Sequence, residues 1–423
     1  MALTTIGTYL LIFWFIVTGL SLRLTKDIAA PQLLYCAAFG FFFFSIFIEK
    51  HSIYLYLVYV SSLLIVFASC FLYNTSSSSR NKIQLKNQEN FKVPAASIWF
   101  LSLPAILGMV YMIEMFGGLS SYIVAAQHGT KSFWGMGPLK TIIATYFPLS
   151  LYYFALMIAG KRTRTAYLIF SFHFVILVVL ALLSLSRGTL LTHLVFMVLV
   201  WHFARKKLSS IFIVFGLLMI ISFASVYGVV RETLTIDDGN FSVGLDNQEQ
   251  VYKSEWMEFG TFPFERVVNA NKVKKHYGLT YVTAITNFVP RNIWPEKPDP
   301  GGVVFTNEYA PEFYDEFSHF TTGLYPEAMM NFGIVFGIIF GHIQLTLMLI
   351  LLSIYYKRVN NKLNFHPKTH KSILGLVIYI YVTWGMVMLM TGEFTSIVIG
   401  TIIKVIVLML SFTFLRLSLK RKI

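Results

Sequence analysis

Long apolar runs, interrupted by short polar or basic patches, dominate the pattern along this chain. They cover approximately 4–22, 28–48, 52–73, 95–116, 138–160, 165–186, 189–204, 208–230, 323–352, 372–391 and 395–415. A helix needs roughly 20 residues to cross a hydrocarbon core of about 30 Å, and these runs are of that order. Backbone groups in lipid must pair within their own segment, so each run predicts a helix. The expected fold class is all-α: a polytopic transmembrane helix bundle of about eleven spans, within a range of about 10–14. Only 231–322 breaks the pattern, with dense polar and aromatic content. The chain therefore divides into N-terminal transmembrane helices (1–230), one large outer loop (231–322) and C-terminal transmembrane helices (323–423).

Composition narrows the class. Of 423 residues, 56% are apolar and only 13% charged, and the mean hydropathy is +0.66. A soluble enzyme, a disordered chain and a nucleic-acid-binding domain are excluded. The net charge of +14 reads as loop charge rather than as a nucleic-acid footprint. Most Lys and Arg fall on alternate connections: Arg23 and Lys26, Arg80 to Lys92, Lys161 to Arg164, Arg205 to Lys207, Lys357 to Lys371, and Arg416 to Lys422. That side is expected to be cytoplasmic. The C-terminus then lies inside and the N-terminus outside, with the long loop on the outer face. Long loops translocate largely regardless of charge. The first run has no preceding basic residue and no clear cleavage site, so it is expected to be a retained helix rather than a signal peptide. Cys36 and Cys70 lie in apolar runs and act as small hydrophobes. No internal repeat is visible, which disfavours an inverted-repeat transporter.

Candidate chemistry concentrates in the outer loop. Residues 278–289 read GLTYVTAITNFV, with Tyr281, Val282, Ile285, Phe288 and Val289 on one helical face and Thr280, Thr283, Thr286 and Asn287 on the other. Such a helix either lies in the headgroup plane or packs on other parts of the loop. Next come Pro290, Arg291, Trp294, Pro295, Lys297 and Pro298, a stiff turn of interfacial character. Arg291 presents a planar fork suited to phosphate oxygens; the alternative for Arg291 and Lys297 is headgroup anchoring. The chain re-enters the membrane through His319, Tyr325, Glu327 and Asn331. Polar groups there are costly unless paired or functional, and His319 is able to take a proton near neutral pH. Arg187 sits in a tight Ser-Arg-Gly hairpin, facing inward or snorkelling to headgroups. His173, His193, His202 and His342 are expected to be satisfied interhelical residues. No metal-ligand spacing, Gly-rich phosphate loop or GxSxG appears, so neither metal nor cofactor is expected.

Pro290-Arg291-(x)2-Trp294-Pro295-(x)1-Lys297-Pro298, then Tyr325-(x)1-Glu327-(x)3-Asn331-Phe332-Gly333, resembles the Wzy-type O-antigen polymerases. The Ser186-Arg187-Gly188 hairpin and Arg291 with Gly302 in an Arg-x10-Gly spacing resemble them too. The odd helix count, with the N-terminus outside, departs from members drawn with both ends inside. The resemblance implies a bacterial inner-membrane glycosyltransferase that joins undecaprenyl-pyrophosphate-linked oligosaccharide repeat units at the periplasmic face. It implies partners beyond membrane lipid: a Wzz-type chain-length regulator and a flippase. In that reading Arg291, Arg187 and Arg266 bind pyrophosphate. Lys297, Tyr325 and Asn331 contact substrate, and His319 or Glu327 handles the acceptor hydroxyl. Two rivals stand beside it: an O-antigen ligase, with the same donor and another acceptor, and a lipid-linked oligosaccharide flippase. A flippase needs charges along a path between helices, and here mid-span charges are nearly absent, with Lys404 the main exception.

Overall fold

The computed structural model describes residues 3–74, 93–127, 132–133, 135–160, 163–184, 187–205, 207–209, 234–237, 240–243, 259–289, 293–313, 319–365 and 369–420. The fold is all-α and polytopic. Eight described helices are long and apolar enough to cross a membrane: Thr5–Thr25, Ile53–Phe71, Ala95–Met115, Gly137–Ala159, Arg164–Leu183, Ile334–Leu363, His370–Met388 and Phe394–Leu417. Two expected spans are shorter helices, Pro31–Phe42 and Gly188–Ala204. The run at 208–230 lies almost wholly outside the described residues. The described strands, Leu234–Asp237 and Asn240–Val243, form an antiparallel hairpin.

Two compact units emerge, each assembled from separate stretches. The first comprises Met1–Lys82, Ser254–Arg358 and Tyr381–Ile402; the second comprises Ile83–Lys253, Val359–Ile380 and Ile403–Ile423.

In the first unit, α1 (Thr5–Thr25), α2 (Pro31–Phe42) and α3 (Ile53–Asn74) pack together. Phe39, Phe43 and Phe47 surround Tyr59 with ring centroids 5.8, 6.2 and 5.9 Å away. The second expected span is not one continuous helix. The Phe42 carbonyl accepts the Gly260 N–H at 2.9 Å, so the chain tightens into a 3-10 turn over Phe44–Phe47. The run at 323–352 is also split, into a short α13 (Leu324–Phe332) and a long α14 (Ile334–Phe365). Gly333 divides them with φ +84°, a conformation that glycine adopts without penalty. The hairpin closes tightly: a Cβ on Gly337 would lie 2.4 Å from the Met329 backbone. Small residues allow such close approach of helices in lipid.

In the second unit, α4 (Ala95–Met115) is followed by α5 (Leu119–Gln127), α6 (Gly137–Ala144), α7 (Tyr146–Ala159), α8 (Arg164–Leu183) and α9 (Arg187–Ala204). Helix α7 is apolar all round and buried all round, against α4, α8 and α9 among others. His173 sits between these helices. Its Nε2 meets Ser102 Oγ at 3.0 Å, and its ring stacks on Tyr146 at 4.4 Å. It is an interhelical residue, as the sequence suggested.

Five further described helices complete the order: α10 (Phe262–Val268), α11 (Leu279–Thr286) and α12 (Gly301–Tyr309) before α13, and α15 (His370–Met388) and α16 (Phe394–Lys420) after α14.

Candidate functional site

The polar heart of the first unit is α13. Pro326 is tolerated because it lies in the first helical turn. Glu327 and Asn331, four residues apart, share one face, and both are buried. The Asn331 side-chain amide donates to the Glu327 carbonyl at 2.8 Å and to Thr280 Oγ1 at 2.7 Å, and its oxygen accepts the Gly278 N–H at 2.8 Å. The backbone N–H groups of His276 and Tyr277 donate to the carbonyls of Met330 and Asn331. Asn331 is therefore the pin that attaches α11 to α13.

The Glu327 carboxylate accepts three hydrogen bonds. Thr280 Oγ1 donates to Oε1 at 2.9 Å; the Phe394 N–H and Thr322 Oγ1 donate to Oε2 at 2.8 and 3.3 Å. Burial pushes its pKa up to about 7, and the charge of Glu393 adds to that; the donors pull the other way.

Glu393 precedes α16 and is also buried. Its Oε2 accepts the Gly302 N–H at 2.6 Å, and Ser396 donates to its Oε1. His319 Nε2 lies 3.8 Å from Oε2, ion-pair distance without a direct hydrogen bond. Burial alone would raise the Glu393 pKa; His319, Ser396 and Gly302 together outweigh it and hold the group below the ordinary carboxylate range. Two buried carboxylates thus have pKa values pushed apart, the arrangement by which neighbouring acids take different roles.

The start of α12 explains how they are held. A Cβ on Gly301 would lie 2.6 Å from Glu327 Oε1, and one on Gly302 would lie 2.5 Å from His319 Cδ2 and 2.6 Å from Glu393 Oε2. Only glycine lets this backbone rest on both acids. Thr306 Oγ1 accepts the Phe320 N–H at 2.8 Å, which fixes the segment at His319 against α12. His319 remains 38% exposed, whereas Glu393 is 3% exposed. Histidine faces solvent and the acids stand behind it.

Other expected site residues lie elsewhere. Tyr325 is buried, its hydroxyl 2.5 Å from Ser62 Oγ and its ring against His342. Lys297 Nζ donates to the Val289 carbonyl at 2.8 Å, beyond the end of α11. Arg266 pairs with Glu312 and lies over the Phe262 ring, at an open cavity of about 950 Å³ that Lys274 and Glu308 also line. Arg291 and the side chain of Arg187 lie outside the described residues. Among the described residues, no group of three or more His, Cys, Asp or Glu forms a metal cluster.

No family model, no curated protein and no solved structure matches this chain.

Residues beside spanning helices meet the loop in the first unit. Ser52 donates to Glu265 at 2.8 Å through its N–H, and Glu393 accepts the Gly302 N–H as described. At the opposite end of the same helices, Tyr356 of α14 donates to Asp27 beyond α1. Sequence reasoning missed Glu393 and Gly301 as site residues, and met Gly302 only as the end of the Arg-x10-Gly spacing. Their signals were a lone acid between two apolar runs and a Pro-Gly-Gly helix start.

Proposed function

We propose that this protein is a glycosyltransferase of bacterial inner membranes that polymerises undecaprenyl-pyrophosphate-linked oligosaccharide repeat units into O-antigen or a related surface polysaccharide. What supports the reading most is the juxtaposition of half-exposed His319 with buried Glu393 and Glu327, at the outer end of spanning helices and at the base of the large loop. The resemblance of the motifs at 290–298 and 325–333 supplies the substrate class.

In this reading a sugar hydroxyl of one repeat attacks the anomeric carbon of the growing chain. The new glycosidic C–O bond forms as the bond to the pyrophosphate oxygen breaks, and undecaprenyl pyrophosphate leaves with the electron pair. His319 takes the hydroxyl proton. Its Nε2 faces Glu393, so Nδ1 is the nitrogen free to act as base, and Glu393 stabilises the imidazolium that results. Glu327, fully buried, braces α11, α13 and the start of α16. Arg291 and Arg187 stabilise the departing pyrophosphate. The site faces the periplasm, where a flippase delivers substrate and a Wzz-type regulator sets chain length.

The test is the surface-polysaccharide gel profile of a deletion strain, with complementation by the wild type and by His319→Ala. Loss of the ladder with retention of single repeats on core lipid supports the polymerase. Loss of every band above core assigns a ligase. Accumulation of lipid-linked repeats on the cytoplasmic side assigns a flippase.

A further inference from the structure

Helix α11 is built inside out. Thr280, Thr283 and Thr286 face the protein interior and are buried, while Val282, Ile285 and Phe288 face outward, with Ile285 77% exposed. Tyr277 before the helix and Ile293 and Trp294 after it are exposed as well. A helix on a water-facing surface shows the opposite arrangement. Two of the inward threonines have partners: Thr280 donates to Glu327, and Thr283 bonds the Thr280 carbonyl and Thr395; Thr286 Oγ1 has none among the described residues. Among the described residues nothing covers the outward face.

The level of α11 is fixed by its neighbours. The Tyr281 ring lies 5.1 Å from Phe394, the first residue of spanning helix α16, and 5.8 Å from Phe340 in the second turn of spanning helix α14. Helix α14 carries its own outward stripe of Phe336, Ile339, Ile343 and Leu347, at the three- and four-residue spacing of a lipid-facing side. Tyr281 thus sets α11 beside the N-terminal turns of both spanning helices. Exposed Lys272 and Lys275 stand just before the helix and Trp294 just after it, the residue types that interfacial helices place at headgroup level.

We infer that α11, with the exposed Ile293 and Trp294, forms a lipid-binding surface that lies in the plane of the bilayer, with Val282, Ile285 and Phe288 in the boundary between headgroups and acyl chains. One side of a single helix then contacts lipid while the other hydrogen-bonds Glu327. A substrate carried on a lipid would reach the site laterally; that consequence rests on the proposed function, whereas the placement of α11 does not.

The experiment uses the full chain in lipid nanodiscs, with buried Cys36 and Cys70 replaced by alanine. Ile285→Cys, Phe288→Cys and, as a water-facing control, Asn271→Cys are each labelled with a small fluorophore. Quenching by nitroxide-bearing phospholipid is compared with quenching by aqueous iodide. The expected result is lipid quenching several-fold stronger at 285 and 288 than at 271, with iodide showing the reverse order. Iodide quenching at 285 and 288 like that at 271 would place the face in water. Protection from both quenchers would mean that protein covers it. Either outcome overturns the inference, and neither depends on enzymatic activity.

Discussion

Replacing Glu327 with glutamine keeps the shape of the side chain and removes its titration. The carboxyl is buried, and its pKa is pushed from the ordinary 4.5 to about 7. Between those values the folded protein holds a proton that the unfolded chain has released. Stability therefore falls as pH rises through that window, and the loss is complete above the folded value. At about 1.36 kcal/mol per pKa unit the loss is about 3 kcal/mol. The glutamine variant lacks this slope. It carries a constant penalty of about 1 kcal/mol, because its amide oxygen serves Phe394 and its NH2 group must face Thr280. For a chain of this size about 3 kcal/mol corresponds to roughly 3–6 °C in Tm. The assay is thermal unfolding of both proteins in nanodiscs from pH 5 to 8 at one scan rate. The variant's Tm minus the wild type's should rise from pH 5 to about 7 and level off above it. The pairs His51–Glu265 and His276–Glu308 are common to both proteins and drop out of the difference, whereas Glu393, whose charge acts on Glu327, remains part of it. A difference independent of pH would show that Glu327 is already ionised well below neutrality, and the account of its burial would be wrong.

The remaining predictions concern turnover and packing. His319→Ala should lower kcat by about 10²–10⁴-fold with little effect on donor affinity, since a base acts in the transition state; weakened donor binding with intact turnover would make His319 a substrate contact instead. Gly302→Ala drives a methyl group into His319 and Glu393 and should cost about 1–3 kcal/mol of stability together with most activity, read from Tm and product ladder in parallel. Arg291→Lys should lose most activity although charge is kept, because a planar fork is replaced by a point charge; a wild-type ladder at equal expression would remove Arg291 from the site. Polymerisation by the purified protein should survive excess chelator if arginines neutralise the leaving group, and a requirement for added Mg²⁺ or Mn²⁺ would refute the arginine clamp.

The apolar runs determined the class of protein directly, because the need to pair every backbone group in lipid leaves a long apolar segment with one regular structure. The two faces of α11 were equally legible, since its threonines and its apolar residues separate at the helical period. Which face turned inward was decided by tertiary structure, through Glu327 and Thr395, which lie 47 and 112 residues away from their partners on α11. The break at Gly333 was hidden for a related reason. Apolar residues continue on both sides of it, so hydropathy has no signal there, and the positive φ follows from folding α13 back onto α14. In the sequence Glu393 is one acid between two apolar runs; only packing brings it to the Gly302 N–H, 91 residues distant, and to His319. Tyr325 and Glu327 looked alike as polar residues near a membrane boundary, yet the fold turns one towards Ser62 on α3 and the other towards α11, α12 and α16. Hydrophobicity is a local property of the chain and survives in the sequence. The pairing of buried polar groups is set by which helices meet, and that is a property of the packed structure.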